Sequence, residues 1–249
     1  MTATPAWPPQ STPRLFVETP LSEGVQLRVE GAPAHYLLSV MRTKPGDPVK
    51  LFDGESGEWL GIATAVNKRD LMLDVTELLR EREAVPDLWL CAAPLKKGRI
   101  DWMVEKACEL GVARLVPVVT RRSVVERPKT ERLRAHMIEA AEQCGRTAVP
   151  ELAETVKLPA LLRDWPAGRT LFFADETGGV PALEAMRAAK GPAAILIGPE
   201  GGFDAEEREA IRALPDAVGI GLGPRILRAD TAAAAAVSLW MAAAGDWSL

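Results

Sequence analysis

The stretch Ile195-Leu196-Ile197-Gly198-Pro199-Glu200-Gly201-Gly202-Phe203 constrains the fold of this chain more than any other. The run from Ala194 to Ile197 is short and apolar, as a buried strand is. It stops at a Gly/Pro-rich turn, and a helix starts at once. Asp204 is a good N-cap and Glu207 lies three residues on, a variant of the capping box. A strand, a glycine turn and a helix in direct succession form the corner where α/β proteins place small ligands. The arrangement recurs one strand-helix unit later, as Val218-Gly219-Ile220-Gly221-Leu222-Gly223-Pro224, then Arg225-Ile226-Leu227-Arg228, then an alanine-rich helix. Two such turns predict one pocket with two walls.

Phosphate is a poor guest for these turns. No Gly-x-Gly-x-x-Gly opens a strand-helix unit and no Gly-x-x-x-x-Gly-Lys-Ser/Thr occurs. Glu200 would repel a polyphosphate, and Pro199 removes a backbone donor. The glycines instead admit a flat group against the backbone. Ile197, Leu222, Ile226 and Leu227 offer apolar walls, and a nearby acid favours a cation. S-adenosylmethionine, with its purine, ribose, ammonium and sulfonium, fits that description. On pattern alone, two tight corners with no ligand explain the same residues equally well.

The chain has 249 residues and a net charge of −4, so the whole molecule carries no nucleic-acid signature. Between Pro94 and Arg146, however, twelve Lys/Arg face seven acids. Such a basic face suits a phosphate backbone, although solvated helices account for it as simply. Cys91, Cys108 and Cys144 lack metal or redox spacing, and only His35 and His136 are present, so no metal site is expected. Unpaired cysteines fit a reducing cytoplasm. No apolar run reaches a membrane span and no signal peptide is visible.

Residues 1–13 are rich in Pro, Thr and Ala and are expected to form a disordered tail. Residues 14–82 read as a small β-barrel of five short strands, Leu15–Val17, Val25–Val29, Pro48–Phe52, Trp59–Val66 and Leu71–Val75, with one helix from His35 to Arg42. The connector Glu81–Pro86 ends it. Residues 83–249 alternate strands with helices. The strands are Leu88–Ala93, Val112–Val119, Thr170–Ala174, Ala193–Ile197 and Val218–Leu222. The helices are Arg99–Leu110, Thr130–Cys144, Val180–Lys190, one from Asp204, and Thr231–Ala244. That order implies a mostly parallel sheet covered on both faces, an α/β fold.

Six stretches carry a resemblance. Leu196-Ile-Gly-Pro-Glu-Gly-Gly-Phe203, Leu222-Gly-Pro-Arg-Ile-Leu-Arg-Ala-Asp-Thr-Ala232 and Glu142-Gln-Cys-Gly-Arg-Thr-Ala-Val-Pro150 resemble the 16S ribosomal RNA uracil-N3 methyltransferases, the RsmE family. Lys106-Ala-Cys-Glu-Leu-Gly-Val112 is similar to that family's Lys…Glu-Leu-Gly helix end, and in the first domain His35 through Met41-Arg42 and Leu51-Phe-Asp-Gly54 also resemble the family. The matches run in order from Arg14 across nearly the whole chain. Two departures stand out: Ala229-Asp230 replaces a frequent Thr-Glu, with Asp230 expected to cap the last helix, and Cys144 replaces a frequent Ser.

The resemblance implies a SPOUT methyltransferase domain with a deep trefoil knot, a PUA-like N-terminal β-barrel that helps hold RNA, a homodimer, and S-adenosyl-L-methionine as cofactor. Its knot loops would place Phe173, Ala174, Ile197, Gly198, Glu200, Gly201, Gly202, Leu222, Gly223, Ile226, Leu227 and Thr231 on the cofactor. The substrate would be 16S rRNA or the 30S subunit. The uracil N3 proton must leave, and a guanidinium stabilises the resulting imide anion. Arg228 is the candidate and Arg225 the alternate, against a structural bridge from Arg228 to Asp230 or a helix end. Glu200 either takes the proton, holds the ligand ammonium, or caps local backbone donors. Arg14, Arg42, Lys97, Arg99, Arg121, Arg122 and Arg146 are the candidate RNA contacts. Competing readings are another SPOUT enzyme, acting on a ribose 2′-hydroxyl of tRNA or 23S rRNA, and a non-catalytic RNA-binding assembly factor.

Overall fold

The computed structural model describes residue 8 and residues 11–248; the expected tail at residues 1–13 falls largely outside the described residues. The chain divides into two compact units, one up to Ala84 together with Ala141–Ala148, the other Val85–Ala140 with Val149 onward. Residues 141–148, expected in the C-terminal domain, therefore group with the first unit.

The first unit contains β1 (Arg14–Phe16), β2 (Gln26–Val29), α1 (Gly31–His35), β3 (Pro48–Phe52), β4 (Glu58–Val66) and β5 (Leu71–Arg80). The sheet runs β1-β3-β4-β5-β2, with β1 parallel to β3 and the other pairs antiparallel. Register shifts along β4 and β5 bend it. The end strands β1 and β2 do not pair with each other, so the hydrogen bonds of the expected barrel do not close into a ring. Alternation buries Leu27, Val29, Leu71, Leu73 and Val75 together with Val49 and Leu51. The strand expected to stop at Val75 continues to Arg80.

The expected helix from His35 to Arg42 is instead α1 followed by a π turn, Tyr36–Val40. Met41 N donates to Tyr36 O at 3.1 Å, and Thr43 N reaches Leu37 O at 3.0 Å. Arg42, between them, takes φ 56°, the left-handed conformation that closes a helix end and that glycine would adopt at no steric cost.

The second unit contains β6 (Leu88–Ala92), α2 (Arg99–Glu109), β7 (Arg114–Val119), most of α3 (Thr130–Cys144), β8 (Glu151–Leu152), β9 (Val156–Lys157), α4 (Leu158–Arg163), β10 (Thr170–Ala174), β11 (Val180–Pro181), α5 (Ala182–Ala188), β12 (Ala193–Ile197), α6 (Ala205–Arg212), β13 (Ala217–Gly221) and α7 (Ala229–Ala243). Its sheet runs β11-β13-β10-β12-β6-β7-β8, with β9 also on β7, and every pair is parallel. Val180 and Pro181, read as a helix start, extend the sheet edge, since proline suits an edge strand. The short elements β8, β9 and α4 carry too little periodicity to be seen in the sequence.

β12 is buried at every residue, as a central parallel strand must be. Leu171, Phe173, Ala194 and Leu196 pack with Phe203 and with Ile211 of α6. On the opposite face α7 packs against α2, α5, β6 and β12. Its inward stripe, with Ala229, Ala232, Ala233 and Ala236, lets the helix approach the sheet closely before Val237, Trp240 and Met241 widen it.

An arginine explains the grouping of residues 141–148. Arg14 donates from Nη1 to the carbonyls of Ala141 (2.6 Å) and Glu142 (3.0 Å) and from Nη2 to Arg146 O (2.8 Å). Its Nε bonds Glu58, and its guanidinium lies 4.4 Å from the Phe52 ring centre. Arg80 joins Glu58 at 3.1 Å and also bonds the Gly145 carbonyl. Two cations thus satisfy carbonyls that the end of α3 leaves open, where the helix dipole favours positive charge. Glu83 completes the arrangement, accepting the amides of Thr147 (3.1 Å) and Ala148 (3.0 Å) and Arg146 Nε (3.1 Å).

Burial alone would raise the Glu58 carboxyl, but hydrogen bonds and charge from Arg14 and Arg80 outweigh it and hold the carboxyl below the usual glutamate range. A lowered folded value adds stability above the unfolded value, about 4.3, and loses it as pH falls through the folded one. E58Q should cost about 3 kcal/mol at neutral pH and flatten the acid limb of stability against pH, measured by urea unfolding between pH 3 and 7.

Candidate functional site

In the second unit β10 lies between β12 and β13. The chain leaves β12, forms α6 and returns on the far side of β10. All three strands are parallel, so the loops that follow them open at one edge of the sheet, outside the strand carboxyl ends. A cavity of about 510 Å³ opens there.

The β12 turn builds the first wall. Gly202 N donates to Pro199 O at 2.8 Å, closing the turn over Glu200 and Gly201. The ring of Phe203 packs beneath Gly198. Asp204 then caps α6, accepting Glu207 N at 2.8 Å, while Glu207 accepts Asp204 N at 3.2 Å. That reciprocal box matches the sequence reading.

The loop after β10, expected from the resemblance as a third knot loop beginning at Phe173 and Ala174, builds the floor, with Asp175, Glu176, Gly178 and Gly179 as lining residues that the sequence reading did not name. Asp175 is fully buried at its side chain and accepts Thr177 N at 3.0 Å and Thr177 Oγ1 at 2.7 Å. Its other oxygen bonds Arg212. Burial alone would raise this carboxyl; the Thr177 and Arg212 bonds together hold it below the usual aspartate range. Glu176 pairs with Arg208 at 3.1 Å. Two glycine positions make the loops fit. A Cβ on Gly179 would stand 2.6 Å from the Gly219 carbonyl oxygen, so β11 can lie against β13 only without a side chain there. Gly202 takes φ +66°, and a Cβ on it would stand 2.3 Å from a Glu176 oxygen. The signal for this floor was an acid pair followed by Gly178-Gly179 directly after an apolar strand.

Ala174, Ile197, Gly198, Glu200, Gly201 and Gly202 line the cavity as expected, and so do Leu222, Gly223, Ile226 and Leu227. Ile226 sits on the rim with its side chain 94% exposed, so it is not the covered wall expected of it. Phe173 lies behind the cavity, because strand alternation turns it into the core against Gly219. Thr231 is also outside: Ala229 and Ala232, three residues apart on one face of α7, line the cavity while Thr231 is exposed. Arg228 is exposed and N-caps α7, its carbonyl accepting Ala232 N at 2.7 Å; its neighbour Arg225 lines the cavity. Asp230 is not the N-cap residue but lies in the first turn of α7, where its carboxylate accepts the amide of Thr231 at 2.9 Å. Glu200 makes no hydrogen bond or ion pair among the described residues, so the local-capping reading finds no donor.

The expected RNA contacts divide. Arg14 and Arg146 are committed inside the first unit. Arg121 pairs with Asp204 at 2.9 Å and with Glu206, and Arg122 donates to Gly201 O at 2.6 Å. Arg42 and Lys97 are exposed and Arg99 is half-buried. Among the described residues no group of three or more His, Cys, Asp or Glu could hold a metal, and no helix is long and apolar enough to cross a membrane.

The cavity suits a ligand of several hundred Å³ with a flat apolar part and a cationic part. Arg208 and Arg212 offset Asp175 and Glu176, which leaves Glu200 and Arg225 as the unpaired charges on its lining.

The sequence matches the family described as RNA methyltransferase domain over residues 81–241 and the RNA methyltransferase PUA domain over residues 29–75. Ribosomal RNA small subunit methyltransferase E of Bacillus subtilis is 30% identical over 242 residues, covering 90% of this chain and 94% of that one. The Rickettsia conorii protein of that name is 27% identical, covering 90% and 93%. The enzyme of that name from Neisseria gonorrhoeae, solved with bound S-adenosyl methionine, superposes with TM-score 0.85 at 26% identity, covering 95% of this chain and 99% of that one. A Legionella pneumophila protein solved with S-adenosylmethionine gives TM-score 0.83 at 27% identity over 94% and 98%.

If the Glu176–Gly202 contact shapes the cavity, G202A should destabilise the protein by about 1–3 kcal/mol through strain and overlap. G223A, at φ +104° but with open space around it, should cost less. Thermal melts of the two variants side by side check this.

Proposed function

The chain belongs to the ribosomal RNA small subunit methyltransferase E family, and on that premise we propose that it transfers a methyl group from S-adenosylmethionine to N3 of one uridine in 16S ribosomal RNA. The observation that carries this reading is the cavity at the carboxyl ends of β10, β12 and β13, built from glycine turns and apolar side chains, with Glu200 and Arg225 as the lining charges that have no ion pair among the described residues. A fold this close to structures that hold S-adenosylmethionine supports that cofactor.

The residues present fit the cofactor. Glycine turns bring backbone amides and carbonyls to the lining, Leu222 and Leu227 supply apolar contact, and the carboxylate of Glu200 suits an ammonium. When bound, the cofactor supplies an electrophilic methyl. The chain supplies position and charge. Holding the uracil in line accounts for much of the rate. Arg225, on the lining, stabilises the imide anion formed as N3 loses its proton. The assignment moves from Arg228 to Arg225 because only Arg225 reaches the cavity. Glu200, with no internal partner among the described residues, is the candidate either to hold the cofactor ammonium or to take the proton.

The substrate is read from unit surfaces. Lys97 and Arg99 stand at the start of α2, and Arg42 is exposed on the first unit. A cleft of about 290 Å³ on that unit is lined by His35, Leu38, Ser39, Lys68 and Arg69. The acids next to its lining residues are taken, Asp70 by Asn67 and Arg28, and Glu30 by Arg28. These cations suit RNA phosphates. The parallel order, in which the chain returns across β10, is compatible with a SPOUT trefoil knot. Exposed Trp102 on α2 and Trp247 beyond α7 offer aromatic surface to a second copy, and we read the active form as a cytoplasmic homodimer acting on 16S rRNA or the 30S subunit.

Calorimetry should detect S-adenosylmethionine binding, and mass spectrometry of treated small-subunit rRNA should find 3-methyluridine at one position. A methyl on a ribose 2′-hydroxyl would reassign the reaction, and retained RNA affinity without methylation would make the chain an assembly factor. E200Q should lower kcat by about 10²–10⁴-fold if the carboxylate takes the proton. R225A should lower it by about 10²–10³-fold, well beyond the loss in R228A.

A further inference from the structure

The loop that follows β7 carries two adjacent arginines, and its composition points to RNA phosphate. Its geometry assigns Arg122 elsewhere. Arg122 Nη1 donates to the carbonyl of Gly201 at 2.6 Å. The aliphatic stem lies over the same residue: a Cβ built on Gly201 would stand 3.4 Å from Arg122 Cδ and 3.5 Å from its Cβ.

That carbonyl shares one rigid peptide plane with the N–H of Gly202, which donates to Pro199 O at 2.8 Å and closes the turn. The plane is therefore held at both ends, by Pro199 from within the turn and by Arg122 from outside it. The loop is itself anchored. Thr120 N donates to Ser123 Oγ at 2.9 Å, and Ser123 N to Thr120 O at 3.1 Å. Arg121 N donates to the buried Glu207 at 2.7 Å, and the Arg121 guanidinium meets Asp204 at 2.9 Å. A flexible surface cation waiting for phosphate would not be fixed on a backbone carbonyl of the cofactor turn.

We propose that Arg122 is a positioning residue for the cofactor: it fixes the Gly201–Gly202 peptide plane and so sets the affinity of the glycine turn for the adenosyl ligand. The proposal rests on the reading of this cavity as the S-adenosylmethionine site. It makes the loop after β7 part of the cofactor pocket, although Arg122 does not line the cavity.

The test uses the full-length protein and S-adenosylhomocysteine as probe. R122M keeps the stem over Gly201 and removes the donor. It should weaken binding about tenfold or more, the size of a hydrogen bond from a charged donor, with the KM for RNA little changed. R121M removes the same charge from the same loop but only exposed ion pairs, to Asp204 and Glu206, and should weaken binding less than about threefold. R122K, which restores a donor, should recover part of the loss. Wild-type affinity in R122M would overturn the proposal, and so would equal rises in the RNA KM of R121M and R122M at unchanged probe affinity, which would make both phosphate contacts. Loss of folding in R122M, seen as a collapsed thermal melt, would reduce Arg122 to a structural role and equally overturn it. Failure of the wild type to bind the probe would sink the reading of the cavity instead.

Discussion

The second unit depends on the placement of one strand. With β10 between β12 and β13 in a parallel sheet, three loops emerge at one edge and crowd one another. The crowding is relieved by removing side chains: β11 lies against β13 where Gly179 has no Cβ, and the β12 turn lies against Glu176 where Gly202 has none. The larger groups lie behind the backbone, with Phe173 under Gly219 and Phe203 under Gly198. The outcome is a cavity in which glycine and alanine positions expose the backbone to the edge and face of a flat ligand, beside larger groups such as Leu222, Leu227, Glu200 and Arg225.

Arginine performs a second task throughout the chain. Its planar group of donors matches carbonyls and carboxylates that a lysine would meet at a single point. Arg14 and Arg80 share Glu58 while satisfying the open end of α3. Arg169 bonds Asp87 and the Ala193 carbonyl while stacking 3.9 Å from the Trp89 ring centre, with Arg114 4.4 Å from that ring. Nearby Cys91 is buried, and its thiol is pushed up to about 12, so it is a packing group and not a nucleophile. Arg208 and Arg212 hold the floor carboxylates of the cavity. Positive charge in this sequence thus marks construction as often as a nucleic-acid partner. Of the candidate RNA contacts, Arg42, Lys97 and Arg99 are the ones for which the structure shows no internal engagement.

The elements with strong local signals were legible in the sequence. The parallel strands of the second unit, the capping box at Asp204 and Glu207, and both glycine turns follow from short-range chemistry, and the six similar stretches led to the right family. The misses have equally physical causes. The helix at His35 becomes a π turn because its backbone bonding, not its apolar pattern, sets the register. Phe173 and Thr231 fall outside the cavity because strand alternation and helical phase select their neighbours Ala174 and Ala232, and Arg228 because it caps α7 while Arg225 lies in the loop before it, differences of one or three residues that a motif does not resolve.

By itself the sequence determined an α/β unit with two glycine turns at strand ends, because hydrophobic period, caps and glycines act within a few residues. Tertiary structure alone decided which side chains meet. The pairing of Arg14 with carbonyls about 130 residues away, the burial of Asp175 under two arginines and the grip of Arg122 on Gly201 all join segments distant along the chain. An arginine that binds a carbonyl of its own chain and one that binds RNA are written with the same letter, and only the fold supplies or withholds the carbonyl.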